Sequence, residues 1–304
     1  MARPHEVDAA LVSPMLSVPA LVPPAGQPVG PARALQARMA RFSNGPQHTR
    51  RRALLEQVLP EVAGLQAAAS RHTTAMARDR VGPWDVMPLA RSVPALALTG
   101  ALGVPAAQVR RAADLVGRLS DALAPAIAPL PPQPDGDQAA EELTALLAPL
   151  GAYDPERVGA VVGLLFQARD ATAALIGAAL LDVAQATEPD PDAAVVERAL
   201  RQAAPVQCTR RTPTEDLQLG DVTVPRAAPV WLVLAAAERG APHEPATFGA
   251  GPHACPGAQH AIALATGVLT GLRAAGSRPV PGQLVRLEPR PNLRMPATVL
   301  VARP

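Results

Sequence analysis

The residue types best able to do chemistry gather in one segment, 246–264, which reads ATFGAGPHACPGAQHAIAL: a glycine-rich loop running into an Ala-rich helix expected to continue to about Ala275. Cys255 stands at the junction, and Pro256 suits the first helical position. Free backbone N–H groups and the positive end of the helix dipole favour an anion there, so the arrangement predicts a thiolate at Cys255. A thiolate that ligates iron also needs close backbone approach, which Gly249, Gly251 and Gly257 permit by tolerating positive φ and presenting no side chain. Cys208 lacks such surroundings and reads as a buried small hydrophobe. Two cysteines are too few for a disulfide framework and fit a reducing compartment.

The pattern Phe248-x-x-Gly251-x-x-x-Cys255-x-Gly257 resembles the haem-thiolate signature of the cytochrome P-450 superfamily. The resemblance implies haem b (iron protoporphyrin IX) as cofactor, Cys255 as its iron ligand, and Phe248, Gly249 and Gly257 as parts of the loop that cradles it. Haem carries two propionates, so cations should converge on it from separate segments. GPQHTRRR, 45–52, resembles the family's Pro-x-His-x-x-x-Arg helix, with His48 and Arg52 one turn apart on one face. RTPTED, 211–216, resembles the strand that supplies a further propionate-binding arginine, here Arg211, and His253 occupies the basic position within the cysteine loop. Further stretches at 84–105, 196–207, 217–240 and in the tail NLRMPATVLV align in the same order, so the resemblance spans about residues 41–304.

Three features depart from the family pattern. In LLFQARDATAALIG the resemblance places an oxygen-binding groove at Ala168 and assigns the relay acid to Asp170, but Ala171 follows it and Thr172 comes one place later, turned by about 100° around the helix. Asp170 and Thr172 are therefore the candidate catalytic residues, in an altered register, and Gln167 and Arg169 are bulky where the family often has small residues. The Glu-x-x-Arg pair is displaced too: three places before Arg201 stands Arg198, and glutamate occurs four places back as Glu197, still on the same helix face. The third departure is length, with few residues before His48 and little room between Leu119 and Asp154 for helices roofing a substrate pocket.

Around this site the chain must supply a core, and 48% apolar residues among 304 are enough for one. The fold class expected is mainly α with a small β lobe: a cytochrome P-450 fold truncated at the N-terminus and in the substrate-roof region. The expected organisation is a Pro-rich N-terminal arm, 1–40, extended and partly wrapped on the surface, followed by a single haem domain, 41–304. PLPPQPDGDQ, 129–138, reads as a mobile loop. A formal charge of +2 without runs of like charge, and 2% aromatics, give no indication of nucleic-acid binding. Glu6, Asp8 and the prolines interrupt any secretory signal core, and Arg169, Asp170 and Asp182 interrupt the longest apolar segment, so a cytoplasmic protein without a membrane span is expected.

The resemblance implies a haem-thiolate oxidoreductase, a monooxygenase that inserts oxygen into a small organic substrate with electrons from a ferredoxin or flavodoxin-type donor. Arg50, Arg51, Arg110 and Arg111 are candidates for docking an acidic donor. Ala171 motivates an alternative, a haem enzyme that works without the dioxygen proton relay, such as a peroxygenase, isomerase or dehydratase. The truncations motivate another, a non-catalytic homologue that activates a partner enzyme. The Ala, Pro and Arg richness hints at a GC-rich bacterial genome and at secondary metabolism.

Overall fold

A computed structural model describes residues 3–19, 29–123, 134–185, 190–219, 222–237 and 246–303. In chain order the elements are α1 (Pro4–Val12), β1 (Leu16–Ser17), α2 (Pro31–Ala37), α3 (Gly45–Val58), α4 (Leu65–Ala77), β2 (Trp84–Asp85), α5 (Met87–Ala101), α6 (Ala106–Leu123), α7 (Pro134–Leu147) and α8 (Pro155–Gln185). Then follow α9 (Asp192–Ala203), β3 (Thr209–Pro213), β4 (Leu217–Leu219), β5 (Val222–Val224), β6 (Val230–Leu232), α10 (Leu234–Ala237), α11 (Ala258–Ala274), β7 (Arg278–Pro279) and β8 (Leu300–Ala302). The architecture is mainly helical with small antiparallel sheets, as the sequence implied.

The 31-residue α8 organises the helices. Its small and aliphatic residues, among them Val161, Leu165, Ala173, Ile176 and Leu180, are buried against α3, α5, α9 and α11. By length and composition α8 is the one helix among the described residues that could cross a membrane. Its apolar surface is consumed in the core instead. Two small residues let α11 lie directly on α4: a Cβ at Gly267 would stand 2.3 Å from the Gln66 carbonyl oxygen, and one at Gly271 2.6 Å from that of Ser70. These glycines set the close approach of the helix that follows the cysteine loop.

The strands form order β1-β3-β6, order β2-β8-β7 and the hairpin β4-β5. In the first sheet Arg211 pairs with Val230, which fixes the arginine side chain on one face. The N-terminal segment differs from the extended arm expected. Pro4 sits in the first turn of α1 and Glu6 supplies an acid there, both favourable to a helix start. Val7, Ala10 and Leu11, spaced as one helical face, form a second core with Leu16, Val230, Leu232 and Leu234. Thus α1 and β1 are part of the β lobe.

The 129–138 segment also departs from expectation. Its first residues lie outside the described ones, but Pro134 begins α7, with Asp135 and Asp137 in its first turn. α7 packs against α6, and Asp137 accepts a hydrogen bond from the Ala32 N–H at 2.9 Å. One helix, α7, therefore lies within the Leu119–Asp154 stretch, together with the last residues of α6.

Candidate functional site: the cysteine loop and its cations

The loop before α11 consists of two single-turn 3-10 segments, Ala246–Phe248 and Gly251–His253. Gly249 and Gly251 both have φ of 68°, the left-handed conformation the sequence predicted for them. The Cys255 N–H donates to the Phe248 carbonyl at 2.8 Å, closing the loop upon itself. Phe248 packs on the main core, and Gly257 is the N-cap of α11. Behind the loop lies α1: a Cβ on Gly251 would come within 3.1 Å of the Leu11 carbonyl and the Val12 side chain.

Cys255 is accessible to solvent, yet protein encloses it densely enough that desolvation dominates its titration. Enclosure pushes the thiol pKa up, and the Gly257 N–H, Arg52 and Arg41 offset this only in part. Without a metal, desolvation therefore works against the thiolate that the helix end favours. A metal ion at the sulfur would displace the proton.

The structure brings together the cations that the motifs named. The His48 and His253 rings lie against each other, centroids 4.0 Å apart and planes tilted by 37°. His48 is held below the usual histidine range by burial and Arg52, and His253 is pushed down to about 4 by burial together with His48, Arg211 and Arg52. Arg52 donates from Nη1 to the Ala254 carbonyl at 2.5 Å and pairs through Nε with Glu56 at 2.7 Å. Arg211, 4% exposed, donates to the Thr209 hydroxyl and the Arg210 carbonyl.

Sequence reasoning missed one member. Arg41, exposed in the 3-10 turn Ala40–Phe42, has its guanidinium pKa lowered by desolvation, an effect that a thiolate at Cys255 would offset. The signal available was only its place seven residues before His48. Arg41 and Arg211 have no carboxylate at ion-pair distance among the described residues, and Glu56 is the one acid on the cluster, paired with Arg52. A soft ligand with three guanidiniums and two imidazoles at one loop fits an iron porphyrin, whose propionates bring the missing negative charge.

The distal candidates lie elsewhere on α8. Asp170 pairs with Arg169 at 2.9 Å and with Arg290 at 3.3 Å. Thr172 is 2% exposed and packed in the core, whereas Ala168 and Ala171 are partly open. No hydrogen bond or ion pair joins this group to the cysteine cluster among the described residues. Glu197 and Arg201 do pair, at 3.7 Å, but on the surface with both side chains more than half exposed. The stronger contact uses the residue that broke the pattern: Arg198 reaches Asp182 at 2.6 Å and Asp190 at 2.8 Å, tying α9 to α8. Among the candidates for donor docking, Arg51 is withdrawn: 6% exposed, it binds Glu156 and the Ala37 carbonyl and so joins α3 to α8 and α2.

No family model and no curated protein matches the chain. Solved structures do. A cytochrome P-450, BioI, in complex with hexadec-9Z-enoic acid ligated acyl carrier protein superposes with a TM-score of 0.83 at 19% identity, covering 100% of this chain and 92% of that one. The bacillaene polyketide synthase cytochrome P-450 PksS of Bacillus subtilis 168 gives 0.79 at 16% identity, covering 100% and 89%. A cytochrome P-450 of Chondromyces apiculatus gives 0.75 at 20% identity, covering 99% and 88%. The chain has the cytochrome P-450 fold.

Proposed function

We propose that this protein is a haem-thiolate oxidoreductase that holds haem b through Cys255 and inserts oxygen into a small organic substrate. The observation that carries the reading is the solvent-accessible but enclosed Cys255, beside a cluster in which Arg41 and Arg211 have no acid. When bound, the haem supplies the redox chemistry, with the thiolate donating electron density to the iron. The chain's own residues do the rest. Arg52, Arg211, His48 and His253 orient the cofactor by its propionates. Gly249 and Gly251 shape the loop that presents the sulfur, and the Gly257 N–H steadies its charge. Electrons come from a ferredoxin or flavodoxin-type donor, docked with the help of the exposed Arg50 and Arg110.

The decisive experiment is the absorption spectrum of the reduced, carbonyl-bound protein. A strongly red-shifted Soret band that Cys255→Ala abolishes is expected. Colourless protein after expression with ample haem would overturn the assignment.

One observation favours a second reading in which the haem acts without a dioxygen proton relay. Asp170 already accepts two guanidiniums, and the next residue, Ala171, has no hydroxyl. Peroxide-supported turnover without a redox partner is the expected sign of this chemistry. Ala171→Thr then improves donor-driven coupling and leaves the peroxide rate unchanged; equal response of both routes would count against it.

A further inference from the structure

The groups assigned to the cofactor come from three segments far apart in the chain: α3 with His48 and Arg52, β3 with Arg211, and the cysteine loop with His253 and Cys255. A short stretch, residues 11–18, touches all three. At its first end the Leu11 carbonyl and the Val12 side chain lie against Gly251, where an added Cβ would meet each at 3.1 Å. In its middle the Met15 carbonyl accepts from the Thr214 N–H at 2.9 Å and from the Thr214 hydroxyl at 3.2 Å. Leu16 and Ser17 then pair with Pro213 and Thr212, in the register next to Arg211. At the last end the Val18 N–H donates to Asn44 Oδ1 at 2.8 Å, and Asn44 Nδ2 donates to the Val18 carbonyl at 2.9 Å.

Asn44 is the N-cap residue of α3, yet its side chain makes no hydrogen bond to that helix. Asparagine at such a position ordinarily caps; here both amide atoms serve the 11–18 stretch instead. Between its contacts the stretch is stiff. Pro14 fixes a backbone angle, and the Met15 N–H donates to the Ser13 hydroxyl and the Leu16 N–H to the Ser13 carbonyl, both at 3.3 Å. Leu11 and Leu16 anchor it in the second core, against which Ala246 and Ala250 of the cysteine loop also pack. A stiff piece with three attachments passes a displacement at one to the other two, through packed atoms and hydrogen bonds.

We infer that residues 11–18 are a positioning strap, which sets α3, β3 and the cysteine loop relative to one another and so governs how the Cys255 sulfur is presented. Binding constellations need such a supporting layer to hold their geometry. The inference rests on the proposed function for its chemical purpose, but the coupling itself needs no haem.

Two variants loosen the strap at opposite ends. Asn44→Ala removes both hydrogen bonds to Val18. Val12→Ala thins the contact with Gly251 at a side chain already 54% exposed, so the fold survives it. Arg198→Ala, at the contact of α9 with α8, is the control that lowers stability away from the strap. Amide hydrogen exchange is followed in the iron-free, full-length protein. Asn44→Ala should speed exchange in β3 and in 248–255, neither of which its side chain touches, by roughly tenfold, the scale set by the loss of one or two hydrogen bonds. Exchange in α5 and α8 should hold. Val12→Ala should speed β3 and the first turn of α3 by a smaller factor.

Faster exchange confined to residues 15–18 and α3 in Asn44→Ala, or the same pattern in Arg198→Ala, would overturn the strap. If Asn44→Ala does not fold, Val12→Ala decides, and a rise limited to 248–255 overturns it. In the haem-loaded protein both strap variants should raise the share of the reduced, carbonyl-bound form whose Soret band lacks the strong red shift, while Arg198→Ala leaves that share at the wild-type value. An unchanged share in the strap variants would overturn the positioning of the sulfur. Failure of the haem assignment looks different: wild type takes up no haem, and the exchange measurement alone then decides the strap.

Discussion

Around Cys255 cations gather without enough acids; around Asp170, on α8, every cation is matched. The second group is a continuous chain, Arg91 to Glu288 to Arg290 to Asp170 to Arg169 to Asp121, with three guanidiniums and three carboxylates linking α5, residues 288–290, α8 and α6. Its charges cancel within the chain, and it acts as structure. The first group has no such internal balance among the described residues, and under the proposed function haem propionates supply its missing charge. The same residue type, arginine, thus has two uses that depend on whether an acid was placed beside it.

The sharpest way to break this comparison is to remove one charge from each group. Asp170→Asn leaves Arg169 and Arg290, whose side chains are 10% and 14% exposed, short of a shared acceptor. Urea unfolding should show a loss of about 2–4 kcal/mol, the lower part of the range for a broken buried pair because solvent reaches this one. Arg41→Gln in the same assay should show no loss. If the two variants are destabilised alike, the cysteine cluster is as internally matched as the other and the comparison fails.

A smaller effect comes from pH. His253 titrates near 4 in the folded chain, depressed by burial, His48, Arg211 and Arg52, against about 6.5 when unfolded. Between these values the unfolded chain binds more protons, so stability present above pH 6.5 is lost as pH falls towards 4. With partial exposure discounted, the loss in the iron-free protein should be about 2 kcal/mol. Bound porphyrin dianion should shrink it by favouring the protonated ring. His253→Gln should flatten the profile in that window; an unaltered slope would show that burial and the neighbouring cations do not depress this ring.

What the sequence revealed follows the same division. His48, Arg52, Arg211, His253 and Cys255 were legible because fixed spacing ties each to a loop or helix turn, and the structure places them together. Arg41 was not, since nothing local distinguishes an arginine in a 3-10 turn near the cysteine loop from one elsewhere on the surface. Arg51 sits inside a run of three arginines and reads as surface charge, but it shares a stripe with His48, Leu55 and Val58, the other buried positions of α3. That period was available as a signal. In α1 the prolines concealed a helix whose face, Val7, Ala10 and Leu11, has the same spacing. Partners brought from distant segments, such as Glu156 for Arg51 or Arg290 for Asp170, leave no trace in local pattern.

The smallest predicted effect concerns α9, where position 198 seemed to spoil a pair that Glu197 and Arg201 would restore. Arg198 instead holds two acids from outside its own helix, Asp182 and Asp190, and both hydrogen bonds raise its pKa. Arg198→Ala should lower the urea midpoint, since it strands Asp182 at the α8 contact while solvent still reaches the site. Glu197→Ala removes an exposed pair on one helix face and should change stability by less than about 0.5 kcal/mol. The order of the two effects is the useful measurement. Were Glu197 the larger, the charge that organises α9 would lie within the helix after all, and the matched-acid pattern seen at Asp170 would not extend to this second contact of α8.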